Sequence, residues 1–263
     1  RRLTILVLVL AGLYSGYWFF GARAVETAAN DALADLTQNG WDIADTTVQT
    51  HGFPSRFDTT FSDVDLTTPD RAVRYQTPFF QAFALSYQPN RVILIAAPQQ
   101  TLDVAGLRLT LDTRGLRASA AVGANTDLTF ENFTAEADEF ALSTDLGLGG
   151  SGRQLLVASR PAGPAAHRYD LYLGMSDLIL PAINTAPEPV GTFILDTAVT
   201  LSASLDRHVM AGPPPTVDMI EVRALTIDWA GAKIRGNGQL QADATGFLEG
   251  EVMLDITNHA ALI

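Results

Sequence analysis

The sequence predicts a mainly β protein of antiparallel strands, preceded by an N-terminal transmembrane helix and a short amphipathic helix. Three observations carry this. An uncharged, mostly apolar run fills residues 3–20, apolar residues then recur every three or four positions as far as Leu36, and after Trp41 the period drops to two.

The first run, LTILVLVLAGLYSGYWFF, has no charge. At about 1.5 Å per residue it is roughly 27 Å long, close to a bilayer core of about 30 Å. Arg1 and Arg2 precede it, and Tyr14, Tyr17 and Trp18 gather toward its far end. Amphipathic rings favour the headgroup interface, and positive charge favours the cytoplasmic side. Residues 1–21 therefore read as a membrane anchor, with Leu3 and Leu10 in the bilayer and Tyr14, Tyr17 and Trp18 at its outer edge. The N-terminus is expected in the cytoplasm of a bacterial inner membrane and the bulk of the chain in the periplasm. A secretory signal cleaved after Ala22-Arg23-Ala24 is the competing reading. The length of the run and its bulky aromatic end favour an uncleaved signal anchor.

Residues 22–40 read as a juxtamembrane helix. Val25, Ala28, Ala29, Ala32, Leu33 and Leu36 share one side, and Glu26, Asn30, Asp31 and Asp35 the other. Asn39-Gly40 stops it, since both residues tolerate left-handed geometry.

Residues 41–263 read as one periplasmic antiparallel β domain. Phe83, Leu85 and Tyr87 alternate with polar or small residues, and Val92-Ile93-Leu94-Ile95 suits a buried strand. Leu102, Val104, Leu107, Leu109, Leu111, Leu116, Ala118 and Ala120 read as two strands around Thr113-Arg114-Gly115. Further strands are predicted at residues 154–159, 169–173, 193–205, 221–229, 233–242 and 249–256. A short helix is expected within residues 177–190, and another starts at Asn258. Tyr87-Gln88-Pro89-Asn90 reads as a hairpin turn, because Pro89 fixes φ and Asn90 accepts a positive φ.

Chemistry is sparse. The net charge is -12 over 263 residues, which argues against nucleic acid, whose phosphates reward clustered Lys and Arg. The absence of cysteine removes disulfides and thiolate chemistry. His51, His167, His208 and His259 lack metal-ligand spacing, so no metal and no cofactor are expected. The glycine run at residues 147–152 lacks the lysine and the strand-to-helix context of a phosphate loop. Asp63-Val64-Asp65 begins no calcium loop. No nucleophile elbow or paired-carboxylate cleft is recognisable, so an enzyme is not expected.

Three stretches are more specific than composition. The first is Gly52-Phe53-Pro54-Ser55-Arg56-Phe57, preceded by Gly40-Trp41. The second runs from Phe83 through Tyr87-Gln88-Pro89-Asn90-Arg91-Val92-Ile93. The third is Leu225-Thr226-Ile227-Asp228-Trp229, followed by Gly236-Asn237-Gly238-Gln239-Leu240 and Gly246-Phe247-Leu248-Glu249-Gly250. In order and spacing they resemble the domain-of-unknown-function family 2125 of Gram-negative envelope proteins, over nearly the whole chain. The Trp–Gly-Gly stretch usual in that family is not evident, and Pro213-Pro214-Pro215 stands near its place. The third stretch is also similar to the C-terminal hairpins of AsmA-like proteins. That resemblance implies a curved antiparallel sheet forming an apolar groove, or taco, tied to the inner membrane. It also implies lipid handling or envelope maintenance.

A groove needs apolar side chains left open to a lipid tail. The candidates are the inward positions Leu107, Leu109, Leu111, Val199, Leu201, Leu225 and Ile227, which would equally suit a closed sandwich core. Phospholipid is one expected partner. The second reading is an accessory subunit of an integral membrane protein complex, for which Gly12, Ser15 and Gly16 offer small residues on a helix face.

Overall fold

A computed structural model describes residues 1–163, 167–179, 190–210, 215–229, 231–243 and 245–258. The chain divides into two compact units, Arg1–Thr110 and Leu111–Ile263. It is mainly β and antiparallel, with one long helix among the described residues, at the start.

The helix, α1 (Arg2–Gln38), runs without a break through both predicted helical segments. It ends where Asn39-Gly40 predicts. Gly40 takes φ +88°, its N–H bonds the Thr37 carbonyl, and the Trp41 N–H bonds that of Leu36. These two bonds form a Schellman stop, in which a left-handed residue turns the chain back onto the last open carbonyls.

In the first unit, β3 (Arg56–Thr67) and β4 (Val73–Leu85) form a long antiparallel pair. On β3 lie β1 (Asp42–Ile43) and β2 (Thr47–His51). On β4 lie β5 (Gln88–Ala96) and β6 (Gln99–Val104). Next comes β7 (Leu107–Arg114). Two turns fall elsewhere than the sequence predicts. The β4–β5 turn is Ser86-Tyr87, and Pro89 and Asn90 are already within β5. Ser86 is fully buried beneath α1, so tertiary contact outweighs the proline signal. Where two strands were expected before Ala120 there are three, because Ala105 (φ 50°) and Gly106 (φ 88°) make a two-residue turn. Two positive φ values match the strand twist, as in a type I′ hairpin.

The helix docks on this unit along one stripe. The Tyr14 hydroxyl pairs with Ser86 Oγ at 3.0 Å, and the Tyr17 hydroxyl donates to the Ser86 carbonyl at 2.6 Å. Trp18 Nε1 donates to the Arg56 carbonyl at 2.7 Å. Gly21 leaves room for the Phe57 ring, which a Cβ there would meet at 2.7 Å. Trp18, Ala22 and Phe57 form a buried cluster with Val25 against it. Glu26 Oε1 accepts the Thr50 N–H at 2.6 Å. Positions 14, 17–18, 21–22 and 25–26 repeat at the helical period, so one face of α1 carries these contacts.

The second unit is a meander. It contains β8 (Arg117–Val122), β9 (Phe130–Thr144), β10 (Gly149–Pro161), β11 (Arg168–Ile179), β12 (Val190–Leu201), β13 (Val217–Trp229), β14 (Ala232–Ala242) and β15 (Leu248–Thr257). Each strand pairs antiparallel with the next. The six strands predicted from residue 154 onward correspond to β10–β15, most of them longer than the alternation suggested. Strand β11 occupies residues 177–179 of the predicted short helix. Residues 180–189 and 259–263, with the rest of the two late helix predictions and His259, lie outside the described residues.

Glycines let β14 and β15 close on one another. A Cβ on Gly238 would sit 2.2 Å from the Glu251 carbonyl oxygen and 2.7 Å from Val252 Cα, and one on Gly250 would sit 2.1 Å from the Gln239 oxygen. These are backbone atoms, which yield only if the strands part. Gly238→Ala should therefore destabilise the chain by about 3 kcal/mol, the upper range for overpacking. Gly246→Ala meets open space and only a φ of +87°, so it should cost about 1 kcal/mol. Urea unfolding of the full chain in detergent, followed by circular dichroism, checks the difference.

Candidate functional site

Side chains directly opposite in an antiparallel pair share a face, so the register of the second unit sorts its residues. On one face, Leu173 stands opposite Leu195 and Leu195 opposite Leu225. Met175 stands opposite Phe193 and Phe193 opposite Ile227. Ile227 continues to Ile234 and Ile234 to Ile256, while Gly236 faces Leu254 and Gly238 faces Val252. In the other direction Leu173 leads to Val157 and Val157 to Ala135. The result is an apolar surface that crosses seven strands.

The opposite face carries charged residues among apolar ones such as Leu156 and Ile194. Glu136, Asp170, Asp196, Glu221, Arg235 and Asp255 all lie on it. Arg117 pairs with Glu136 at 2.6 Å, and Arg168 pairs with Glu221. Arg223 donates from Nη1 to Asp170 at 2.5 Å and from Nε to Asp196 at 3.0 Å, in a cleft of about 360 Å³.

Among the described residues no full layer covers the apolar face. The buried apolar residues of this unit, among the described residues, are Ala121, Ala137, Tyr169, Ala198, Val199 and Ala232. No described Leu, Ile, Phe or Met in it is buried. Leu173, Met175, Phe193, Leu195, Leu225, Ile227 and Ile234 are half-buried, and every residue of β15 is exposed. Leu, Ile and Phe are among the residues most often fully buried in globular domains. A half-buried state is what neighbours on the same sheet face provide when nothing lies on top.

One end of the face is capped. The connection after β12 crosses it, with the Leu205 N–H donating to the Tyr169 hydroxyl at 2.8 Å and the Phe130 N–H to the Leu205 carbonyl at 2.8 Å. The Phe130 and Tyr169 rings meet edge-on at 5.8 Å. Val199, 8% exposed, lies opposite Tyr169 at this closed end.

The sequence-derived candidates fall as follows. Val199, Leu201, Leu225 and Ile227 share the apolar face, Val199 and Leu201 toward the capped end and Leu225 and Ile227 in the open part. Leu107, Leu109 and Leu111 alternate along one side of β7 and are half-buried, with Leu107 and Leu109 in the first unit and Leu111 in the second. Of the anchor residues, Leu3 and Leu10 are exposed along α1, Tyr14 and Tyr17 bond Ser86, and Trp18 is buried at 5% exposure against Phe57. The sequence reading missed Leu173, Met175, Phe193, Leu195 and Ile234, although the alternation of their strands was visible. It also missed Val222 and Ile220, because a bulge at Arg223-Ala224 shifts the register of β13. Beyond the bulge these residues, and not Arg223, continue the apolar face.

The family model described as "Uncharacterized protein conserved in bacteria (DUF2125)" matches residues 18–263. The chain belongs to this family. No curated protein and no solved structure matches it. The family match begins at Trp18, the helix residue buried against the β-strands, and runs through both units. Elsewhere in this family member, Asp65 of the Asp63-Val64-Asp65 stretch is clamped by Arg74 at 2.6 Å and by Gln76 at 3.0 Å. Chiefly the Arg74 hydrogen bond holds its carboxyl below the usual carboxylate range.

The polar face has its own pH signature. Burial pushes the Asp170 carboxyl up, but hydrogen bonds and charge from Arg223 and Arg160 outweigh it, so the net shift is downward. A lowered carboxylate stabilises the fold above its unfolded pKa of about 3.9, and that stability disappears as pH falls through the still lower folded value. Arg223→Ala should cost about 1 kcal/mol at neutral pH, a modest figure because the pairs are partly solvated. The gap between variant and parent should narrow below about pH 4, near the reference carboxylate pKa, which urea midpoints across the pH range measure.

Proposed function

We propose that the chain is a non-catalytic, single-pass protein of the bacterial inner membrane, with its β-strands in the periplasm. It holds phospholipid acyl chains against the apolar face of its second unit. The observation that carries this reading is the uncovered face itself, with its half-buried Leu173, Leu195, Leu225 and Ile227. An acyl chain laid there gains about 0.8 kcal/mol per methylene removed from water. Ten methylenes offer about 8 kcal/mol before ordering costs. The similarity of the third sequence stretch to AsmA-like hairpins supports the same reading. So does the first helix, which contains a stretch long and apolar enough to cross a membrane. An uncleaved anchor fits the docking of Tyr14, Tyr17 and Trp18, since cleavage after Ala24 would strip Trp18 from Phe57.

Native mass spectrometry of the full chain in mild detergent, with lipid extraction, tests the proposal. Bound phospholipid should fall sharply in Leu225→Asp. It should persist in Thr226→Asp, whose side chain points to the polar face. Equal lipid in the parent and in folded Leu225→Asp sinks the idea.

A second reading, an accessory subunit of an integral membrane complex, rests on Gly12 and Gly16. Both face open space, on the side of α1 away from the docked stripe. Small residues four apart let helix backbones approach closely. On this reading a stoichiometric partner co-purifies in mild detergent and is lost in Gly16→Leu, while phospholipid content stays the same.

A further inference from the structure

We infer that the tip of the first unit, formed by the β2–β3 and β4–β5 turns, is immersed in the outer leaflet of the membrane that α1 crosses. The inference rests on the reading of α1 as a membrane-spanning helix and asks how much of that helix is free to span.

No hydrogen bond or ring contact ties residues 3–13 of α1 to the described strands, and the large apolar side chains among them are more than half exposed. From Tyr14 onward the helix is docked. Eleven free residues at about 1.5 Å each cover about 16 Å, roughly half of a bilayer core of about 30 Å. The remaining half must be crossed by the docked stretch, residues 14–21. Whatever is bonded to that stretch lies at the same depth. Ser86 is held by Tyr14 and Tyr17, and the Arg56 carbonyl by Trp18. Counting from Leu3, Tyr14 lies about 16 Å into the core and Trp18 about 22 Å. Tilting the helix lengthens the run inside the core and carries the tip deeper.

The chemistry of the tip suits that depth. Tyr87, next to Ser86 at the β4–β5 turn, is 68% exposed, and Phe53 in the β2–β3 turn is 50% exposed. The two turns lie side by side, since the Ser86 N–H bonds the Ser55 carbonyl at 2.9 Å. Phe53 stacks on Phe19 at 5.6 Å and meets Trp18 edge-on at 5.4 Å, so the aromatic surface of the turns continues that of the helix. Amphipathic and aromatic rings favour this zone of a bilayer. The Arg56 side chain, paired with Asp58 at 2.8 Å and largely exposed, has an apolar stem long enough to snorkel to lipid phosphates. The occupant of this surface is therefore phospholipid of the leaflet into which the helix emerges. The immersed turns give the strands direct access to lipids still in the membrane.

The absence of cysteine makes the test clean. Single variants Phe53→Cys, Tyr87→Cys, Leu8→Cys and Ala105→Cys of the full chain are labelled with an environment-sensitive fluorophore. Each is reconstituted in phosphatidylethanolamine–phosphatidylglycerol vesicles with lipids spin-labelled at defined depths. Ala105 sits in the exposed β6–β7 turn and serves as the aqueous reference. Labels at 53 and 87 should be blue-shifted, with 53 losing fluorescence to shallow spin labels and 87 to deep ones, the label at 8 to those of intermediate depth, and the label at 105 to none. If 53 and 87 match 105 while 8 is quenched, the tip is in water, and the immersion proposal falls while the spanning reading survives. If 8 is also unquenched, both fall together.

Discussion

A β-sheet with one polar and one apolar face must put something against the apolar face. Most domains use a second sheet or a layer of helices. In the second unit the register places Leu173, Leu195, Leu225 and Ile227 on one continuous surface, and among the described residues only its Tyr169 end is roofed by the chain itself. The stability of the unit then comes from within the sheet. Ladder hydrogen bonds run from β8 to β15, apolar neighbours touch along the surface, and Arg223 ties Asp170 and Asp196 together on the far side. Small residues do the packing where strands come closest, which is why the buried set is mostly alanine.

The first unit solves the same problem differently. There α1 supplies the missing layer over the end of β3, and Trp18, Ala22 and Phe57 form the sealed contact. Gly21 is the residue that makes this possible, since any side chain at that position would displace the Phe57 ring. The same helix thus has two employments. One face is a structural element of the β unit, and as far as Phe20 the rest of its surface is exposed and mostly apolar. These two uses overlap in residues 14–20, so the strand tips and the apolar helix cannot occupy separate environments.

Much of the fold was legible in the sequence because its signals are local. The period-two alternation located β10–β15, and Asn39-Gly40 marked the helix stop to the residue. What was not legible depends on contacts distant in sequence. The β4–β5 turn sits at Ser86-Tyr87 because two tyrosines of α1 grip Ser86, and nothing near Pro89-Asn90 announces this. The composition of the apolar face was only partly readable for a similar reason. Alternation carried back from Ile227 and Leu225 would assign Arg223 to the face, and the bulge instead turns Arg223 toward Asp170 and Asp196. A single inserted residue inverts parity without changing the hydrophobic pattern. Trp18 was read by its chemical type as an interfacial ring, whereas its position on the docked stripe decides its surroundings.

An open apolar face invites aggregation, and the chain carries counter-measures. The edge strand β15 alternates Leu248, Val252, Leu254 and Ile256 on one side with Glu249, Glu251 and Asp255 on the other. Charges along an exposed edge oppose pairing with another strand. The net charge of -12 opposes self-association in general. These features protect the face without covering it, which is the arrangement an acyl-chain ligand requires. Such a ligand offers no hydrogen bonds, so a surface built for it gains nothing from directed polar groups. What it needs is breadth, apolarity and one closed end to set the depth of entry. Apolar side chains across seven strands, ended by Phe130 and Tyr169, supply those three properties. The proposed lipid-holding role rests on the same packing choice that leaves the second unit without a buried leucine among its described residues.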